Sequence, residues 1–360
     1  MLLIAGVLLW LGIAKKVEPV LLVPIGAGCM LANIPLSGAA EAGGFLAVLR
    51  EAGIHTEIFP LLIFICIGAM IDFEPFLQRP YTIFLGAAAQ FGIFGTFFLA
   101  YLLGDGWLRL LDFSLQDAAS IGIIGSADGP TSIYVSTMLH SKYVAAIVVA
   151  AYSYMAMVPI IQPPIIKAMC SKEERVLKMP VVVGAISQRT KIFFPLITIL
   201  VVGLICPKAT PLIGCLMFGN LLRECGVVRA LSQTAQNEMA NIVTILLGIT
   251  VGGMMSGMEF LRPETILVFA LGIVAFSLDT VAGVFLGKLM CFFSGRKVNP
   301  MIGACGISAF PMSARVVQKL GLEADPYNHL LMHAVGANVA GQIASVVAGG
   351  AMLMLVPLFA

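Results

Sequence analysis

The chain has 360 residues, of which 59% are hydrophobic and only 11% are charged, and its mean hydropathy is +1.01. Soluble domains carry roughly 25% charged residues, so this composition excludes a water-soluble globular protein. It predicts an all-α polytopic membrane protein. The net charge is only +2 and no nucleic-acid-binding motif is present, so no nucleic-acid partner is expected.

The first residues of the chain argue against a signal peptide, and the cysteines argue against disulfide bonds and a zinc site. Residues 1–14 are apolar but lack both a basic start and a small-residue cleavage site, which predicts a first membrane helix rather than a signal peptide. The eight cysteines include no C-x-x-C pair, and most lie in apolar runs. Neither a disulfide framework nor a zinc site is expected.

Apolar segments of helical length recur along the chain and predict about ten membrane spans. Two further segments, 118–140 and 302–326, are apolar but interrupted by Gly, Pro and polar residues. Such segments predict re-entrant or broken helices, which are tolerated at membrane depth where they are buried in protein or line a cavity. The ten predicted spans are 2–14, 17–35, 57–72, 82–104, 143–166, 192–207, 209–222, 239–258, 265–287 and 329–357.

Short strings of the first half recur in the second in the same order and at nearly constant spacing, which predicts a duplicated architecture. The three pairs are 30–33 with 217–220, 67–70 with 251–254, and 125–130 with 306–311.

The basic residues predict the topology. Residues 167–191 form a basic linker between the halves, and basic loops are typically cytoplasmic. If 118–140 enters and leaves on one side, all but five of the 21 Lys and Arg residues lie on the cytoplasmic side. We therefore predict two inverted repeats of about five transmembrane helices, 1–166 and 192–360, each with one re-entrant or broken helix. The five basic residues expected outside are Arg50, Arg109, Lys142, Lys208 and Arg262.

Asp128 is the most informative residue, because it is the only charged residue between Ala118 and Lys142 apart from the titratable His140. A carboxylate at membrane depth costs roughly 2.5–3.5 kcal/mol on insertion scales. Gly and Pro follow it and break the helix, freeing backbone carbonyls. Carbonyls beside a carboxylate make an oxygen cage that suits Na⁺ or H⁺. The alternative is a solvated surface loop, which the apolar flanks disfavour.

The last span carries a polar face that could complete such a site. Asn338, Gln342 and Ser345 are spaced four and three residues apart, so their amides and hydroxyl lie on one side of a helix. Asn338 and Ser345 supply neutral oxygens and Asp128 supplies the charge, a reasonable set of ligands for Na⁺. The alternative is that the two amides only join helices by hydrogen bonds.

Three other polar groups leave alternatives open. Asp279, also mid-span, is either a second ion or proton site or a structural partner of Arg315. Tyr152 and Tyr154 precede a cluster of prolines. A tyrosine hydroxyl near a carboxylate can relay a proton, although anchoring by a buried hydroxyl is the commoner use.

Five long strings resemble the beta subunit of the sodium-ion-translocating biotin-dependent decarboxylases, the family of the oxaloacetate, methylmalonyl-CoA and glutaconyl-CoA decarboxylase pumps. They lie at 125–133, 151–164, 218–224, 308–319 and 336–345, so the resemblance covers nearly the whole chain. It implies a carboxybiotin decarboxylase subunit that couples loss of CO₂ and uptake of a proton to Na⁺ export. Carboxybiotin would come from a partner subunit. The resemblance also implies a multi-pass protein of the bacterial inner membrane, assembled as a homo-oligomer with carboxyltransferase, biotin-carrying and small membrane subunits.

The resemblance also implies roles for individual residues. Asp128 is expected to bind Na⁺ together with Asn338 and Ser345, and Tyr154 is expected to relay the proton. Arg315 is our own addition, as a cation able to steady the carboxylate of carboxybiotin. The alternative function is a Na⁺-coupled secondary transporter of an organic anion, which explains Asp128 and the repeats but not the five strings. The acid that is decarboxylated stays open, because the partner carboxyltransferase selects it.

Overall fold

The computed structural model describes residues 1–16, 18–106, 108, 111–180, 184–255, 257–260 and 262–359, without the side chains of residues 156, 258 and 259. Within these ranges every regular element is helical. The first half has a π-helical segment at Arg50–His55 and 3₁₀ turns at Pro80–Thr82 and Ile123–Ser126. Its α-helices are α1 (Leu2–Ile13), α2 (Pro19–Ala32), α3 (Phe45–Leu49), α4 (Ile58–Met70), α5 (Glu74–Gln78), α6 (Ile83–Ala89), α7 (Phe91–Leu103), α8 (Leu115–Gly122), α9 (Gly129–Met138) and α10 (Val144–Met169).

The linker and the second half continue with the same kinds of element. A π-helical segment covers Ala235–Met239, and 3₁₀ turns cover Pro207–Ala209 and Pro300–Gly306. The α-helices are α11 (Lys172–Arg175), α12 (Gln188–Ile205), α13 (Thr210–Glu224), α14 (Arg229–Thr234), α15 (Ala240–Gly253), α16 (Gly257–Phe260), α17 (Pro263–Phe293), α18 (Met312–Ala324) and α19 (Leu331–Phe359).

The order of elements in the first half recurs in the second. Each half has two apolar helices, then a short helix with a π-helical segment leading into α4 or α15. A long apolar stretch follows, then a broken segment, then a final long helix. This repetition agrees with a duplicated chain, and the inverted orientation of the two halves stays a prediction.

The expected number of full-length spans is corrected by the structure. Among the described residues, four helices have the length and composition to cross a membrane, or up to six if two bent pairs each count as one span. The bends are 61° between Phe45–His55 and Ile58–Met70, and 64° between Val144–Met155 and Met157–Met169. Other predicted spans fall short of about 20 residues, such as the 12 residues of α1. Apolar composition runs on through bends and caps that end a helix, so hydropathy overestimates helix length.

Glycines let helices of the two halves approach closely. A methyl group added at Gly252 on α15 would overlap the carbonyl oxygen of Ile25 on α2, and one at Gly68 on α4 would overlap that of Leu216 on α13. Small residues at such crossings allow backbone-to-backbone packing between membrane helices. The two halves therefore interlock along α2 with α15 and α4 with α13.

The predicted linker is attached to α18. Lys178 pairs with Asp325 at 2.9 Å, and Lys167 pairs with Glu323 at 3.0 Å. The hydrogen bond from Lys178 lowers the pKa of the Asp325 carboxyl. The Asn328 side chain also donates to the carbonyl of Arg175 at 2.8 Å. The linker thus packs on the second broken segment, and the division of the chain into 1–166, 167–191 and 192–360 stays a prediction.

Glu173 in this linker offers a test of the predicted topology, because its side chain is exposed. We expect Glu173→Cys to resist a membrane-impermeant thiol reagent added to whole cells and to react in inverted vesicles, since basic linkers stay in the cytoplasm. The background replaces the two partly exposed native thiols, Cys215 and Cys225. Labelling in whole cells would contradict both the topology and the inverted repeats.

Candidate functional site

The first broken segment ends α8 at Gly122 and begins α9 at Gly129. Between them the chain makes a 3₁₀ turn, and Ala127 adopts the left-handed conformation with φ 51°. Asp128 then caps the N-terminus of α9, where Pro130 occupies the first turn. The sequence Gly-Pro after an aspartate therefore places a carboxylate at the start of a helix inside the protein.

Asp128 is buried and receives hydrogen bonds only from neutral groups. Its Oδ2 accepts from the Thr131 hydroxyl at 2.7 Å and from Nε2 of Gln342 at 2.9 Å, and its Oδ1 accepts from the Thr131 backbone N–H at 3.4 Å. The side chain is 3% exposed and forms no ion pair with a described residue. A carboxyl group this deep is stable either as the neutral, protonated acid or as a carboxylate with a bound cation.

The second broken segment meets the first beside this carboxylate. Ser308 donates through its backbone N–H, at 3.2 Å, and through its hydroxyl, at 2.7 Å, to the carbonyl oxygen of Ser126. Asn338 on α19 donates to the carbonyls of Ile307 at 2.6 Å and Cys305 at 3.3 Å. The carboxamide oxygen of Asn338 is buried and has no partner among the described residues.

A cavity of about 500 Å³ connects Asp128 with one end of the helical assembly. Asp128, Tyr152, Ser308 and Gln342 form part of its wall, and the exposed Arg315 also lines it. The Arg315 guanidinium makes no hydrogen bond or ion pair with any described residue. Much of the remaining wall comes from the ends of α2, α4 and α15 that are predicted to face the cytoplasm.

Comparison with known proteins identifies the family. The family model of the Na⁺-transporting oxaloacetate decarboxylase beta subunit matches residues 1–356. The oxaloacetate decarboxylase beta chain of Klebsiella pneumoniae is 46% identical, with 99% of this chain and 94% of that protein covered. The methylmalonyl-CoA decarboxylase subunit beta of Propionigenium modestum is 49% identical at the same coverage. The corresponding Haemophilus ducreyi oxaloacetate decarboxylase beta chain is 46% identical over 98% of this chain and 93% of its own.

This chain belongs to that beta-subunit family. The resemblance inferred from the five strings is confirmed. Two relatives with different acids in their names, oxaloacetate and methylmalonyl-CoA, are similarly close in sequence. The similarity therefore does not select between these acids.

Tyr154, the expected proton relay of this family, lies away from the cavity in the structure. Its hydroxyl donates to the carbonyl oxygen of Phe269 on α17. Tyr152 lines the cavity instead, with its ring against Gly129. Residues two apart on a helix point about 200° apart, so one tyrosine faces the cavity only if the other faces away. The structure places Tyr152 rather than Tyr154 on this cavity, and the role of Tyr154 as a proton relay stays a prediction.

The three polar residues on one face of α19, Asn338, Gln342 and Ser345, each make a different contact. Gln342 reaches Asp128, Asn338 holds the second broken segment, and the Ser345 hydroxyl donates to the Gln342 carbonyl at 3.1 Å. Ser345 is fully buried and does not line the cavity. The predicted ion-binding set of Asp128, Asn338 and Ser345 omitted Gln342. The spacing of four residues from Asn338 was the signal that could have included it.

Asp279 is a second buried carboxylate, but it lies outside this cavity. It is 1% exposed, and neither oxygen has a hydrogen-bond partner of good geometry among the described residues. The backbone N–H groups of Gly92 and Ile93 face it at the start of α7, and Gly125 packs against it. It forms no ion pair with Arg315. Of the two alternatives for Asp279, the structural pairing with Arg315 is therefore not supported.

The groups around Asp128 suit a hard cation. Thr131 and Gln342 contact Asp128, all three side chains carry oxygen atoms, and hard cations prefer oxygen ligands. Within the described ranges no three His, Cys, Asp or Glu side chains come together in the way a transition-metal site requires. An unpartnered amide oxygen on Asn338 is a further group that an ion could satisfy.

Proposed function

We propose that this subunit decarboxylates carboxybiotin delivered by a partner subunit and couples the reaction to Na⁺ export and proton uptake. The family of Na⁺-transporting decarboxylase beta subunits supports the coarse statement. The observation that carries the finer one is Asp128, a buried carboxylate that lies at the inner end of an open cavity and forms no ion pair with any residue the structure describes.

The arrangement of charges fits a reaction at this cavity. Arg315 lies near its mouth, where a guanidinium can pair with the carboxylate of an incoming carboxybiotin. The cavity wall behind it is largely apolar, through residues such as Ile67 and Leu247. An apolar wall strengthens electrostatic interactions within the cavity. Carboxybiotin supplies the N–CO₂ bond that breaks as CO₂ leaves, and its ring nitrogen takes up one proton.

Asp128 links this reaction to the ion. With Na⁺ bound, the carboxylate is neutralised by the ion, and with a proton bound it no longer attracts the ion. A proton delivered through this site would therefore weaken Na⁺ binding while the ion leaves towards the opposite face. Coupling requires that affinity for the ion differs between the two states, and a shared carboxylate provides that difference.

The assembly proposed for this subunit follows its family. The partners are a carboxyltransferase, a biotin-carrying subunit and a small membrane subunit, in a homo-oligomeric arrangement within the bacterial inner membrane. The alternative, a Na⁺-coupled secondary transporter of an organic anion, is disfavoured because the relatives are named as decarboxylase chains over nearly their full lengths.

The test is transport by the complete complex. Reconstituted with its carboxyltransferase facing the bath, it should take up ²²Na⁺ into proteoliposomes only while CO₂ is released, and CO₂ release should require Na⁺ in the bath. Accumulation of an organic anion by the purified chain alone would favour the secondary transporter. Decarboxylation without Na⁺ uptake in sealed liposomes would contradict the proposed coupling.

A further inference from the structure

A second cavity, of about 420 Å³, lies at the opposite end of the helices that form the first. Its wall includes Arg50, Glu57, Thr137 and Ser141. These residues belong to segments that are predicted to face the outside of the cell. The site already described does not include any of them.

Four segments line both cavities, one at each end. On α9, Pro130 lines the first cavity and Thr137 lines the second. Seven residues are two helical turns, so the two side chains share one face of α9 and lie about 10 Å apart along its axis. The corresponding pairs are Ile63 and Glu57 at α4, Tyr152 and Ala145 on α10, and Leu247 and Met254 at α15.

An apolar barrier separates the two cavities. Each segment contributes one buried apolar side chain between its two lining residues, and all four belong to one hydrophobic cluster that also contains Tyr152 and Leu247. They are Phe59, Ile133, Val148 and Val251, of which Phe59 is 8% exposed and the others are fully buried. Asp128 is thus reached from the first cavity and closed off from the second.

The second cavity contains a carboxylate and a guanidinium that do not pair with each other. The Glu57 side chain makes no hydrogen bond or ion pair with a described residue. Nε of Arg50 and Oγ1 of Thr137 are buried without partners in the described part of the chain. Lys142 is different, because it pairs with Asp112 at 3.1 Å.

We propose that the second cavity is the site from which Na⁺ leaves, with Glu57 and Thr137 as oxygen ligands and Arg50 as the cation that displaces it. This inference rests on the proposed function, because it concerns the same ion pathway. Opening of the Ile133 barrier would join the cavities along α9. The ion would then exchange Asp128 for Glu57.

The pair of opposite charges, Glu57 and Arg50, suits weak binding and release of Na⁺ rather than tight binding. An exporting pump discharges Na⁺ into the compartment where Na⁺ is abundant, so its outer site must bind the ion weakly. A guanidinium that lines the same cavity as the carboxylate weakens ion binding there, because pairing of Arg50 with Glu57 would replace the ion. In the first cavity the guanidinium is that of Arg315, which we assign to the carboxylate of carboxybiotin, so Asp128 is left to bind the ion on the cytoplasmic side.

Side-specific inhibition by Na⁺ tests this assignment. Proteoliposomes that contain the complete complex, with the carboxyltransferase outside, are loaded with increasing Na⁺ and the initial rate of CO₂ release is measured at fixed bath Na⁺. Glu57→Gln should raise the internal Na⁺ concentration that halves the rate by about tenfold, since a charged ligand is lost. Arg50→Gln should lower that concentration, because the competitor is removed. Glu51→Gln, an exposed carboxylate of the same segment outside the cavity, is the matched control and should follow wild type.

The two hypotheses fail in different ways. If the wild-type complex takes up no ²²Na⁺ during decarboxylation, the proposed function is contradicted. If the wild type pumps but Glu57→Gln and Arg50→Gln both keep its internal Na⁺ dependence, the release site is overturned.

A second measurement tests the barrier between the two cavities. An impermeant thiol reagent enclosed in the proteoliposomes, on the face opposite the carboxyltransferase, should react with Ile133→Cys only during turnover. Labelling before substrate is added, or none during turnover, would refute the barrier.

Discussion

Asp128→Asn is expected to abolish both Na⁺ transport and the decarboxylation of carboxybiotin. The substitution keeps the shape of the side chain and its capacity to accept from Thr131, but it removes the only charge of the first broken segment. The carboxyltransferase reaction is carried out by another subunit, so biotin should still be carboxylated. The measurement is ²²Na⁺ uptake beside the rate of CO₂ release in the reconstituted complex.

Asp128→Glu provides the graded control for this experiment. It keeps the charge but moves the carboxylate by about 1.5 Å, and a misplacement of that order can lower a rate about a hundredfold. We expect impaired activity rather than none. Pumping by Asp128→Asn at the wild-type rate would refute the site. Loss of pumping with full decarboxylation would refute the idea that both steps share this carboxylate.

Asn338→Leu is expected to weaken the apparent affinity for Na⁺ by about tenfold to a hundredfold, the effect of losing a ligand worth about 1–3 kcal/mol. Leucine has nearly the same volume, so α19 should still pack. The structure identifies the oxygen concerned, because the carboxamide oxygen of Asn338 is buried and lacks a partner. The readout is the Na⁺ concentration that gives half the maximal rate of decarboxylation.

Asn338 also supports the second broken segment, and a second variant separates this contribution. Gln162 on α10 donates to the Ala304 carbonyl at 2.8 Å and accepts from the Ser313 hydroxyl at 2.9 Å. Gln162→Leu should therefore loosen the same segment without removing an unpartnered oxygen. Equal losses of Na⁺ affinity in the two variants would assign Asn338 to the support of this segment and exclude it as a ligand.

The amino-acid sequence by itself determined the class of the protein and the position of its central carboxylate. Composition excludes a soluble fold, because too few charged residues are present to cover a surface in water. Gly and Pro around Asp128 fix the break between α8 and α9, since neither residue continues a helix well. The helical period placed Asn338 and Gln342 on one face of α19, and the five family strings fixed the family.

The tertiary structure alone decided which of these residues meet. Gln342 rather than Ser345 reaches Asp128, and Tyr152 rather than Tyr154 faces the cavity. The period of a helix predicts which residues share a face, but it carries no information on the neighbour that the face packs against. Asp128 and Gln342 are separated by 214 positions in the chain. Their contact depends on how the two broken segments and α19 pack together, which is set by close approach of backbones at glycines and by apolar side chains along the whole chain.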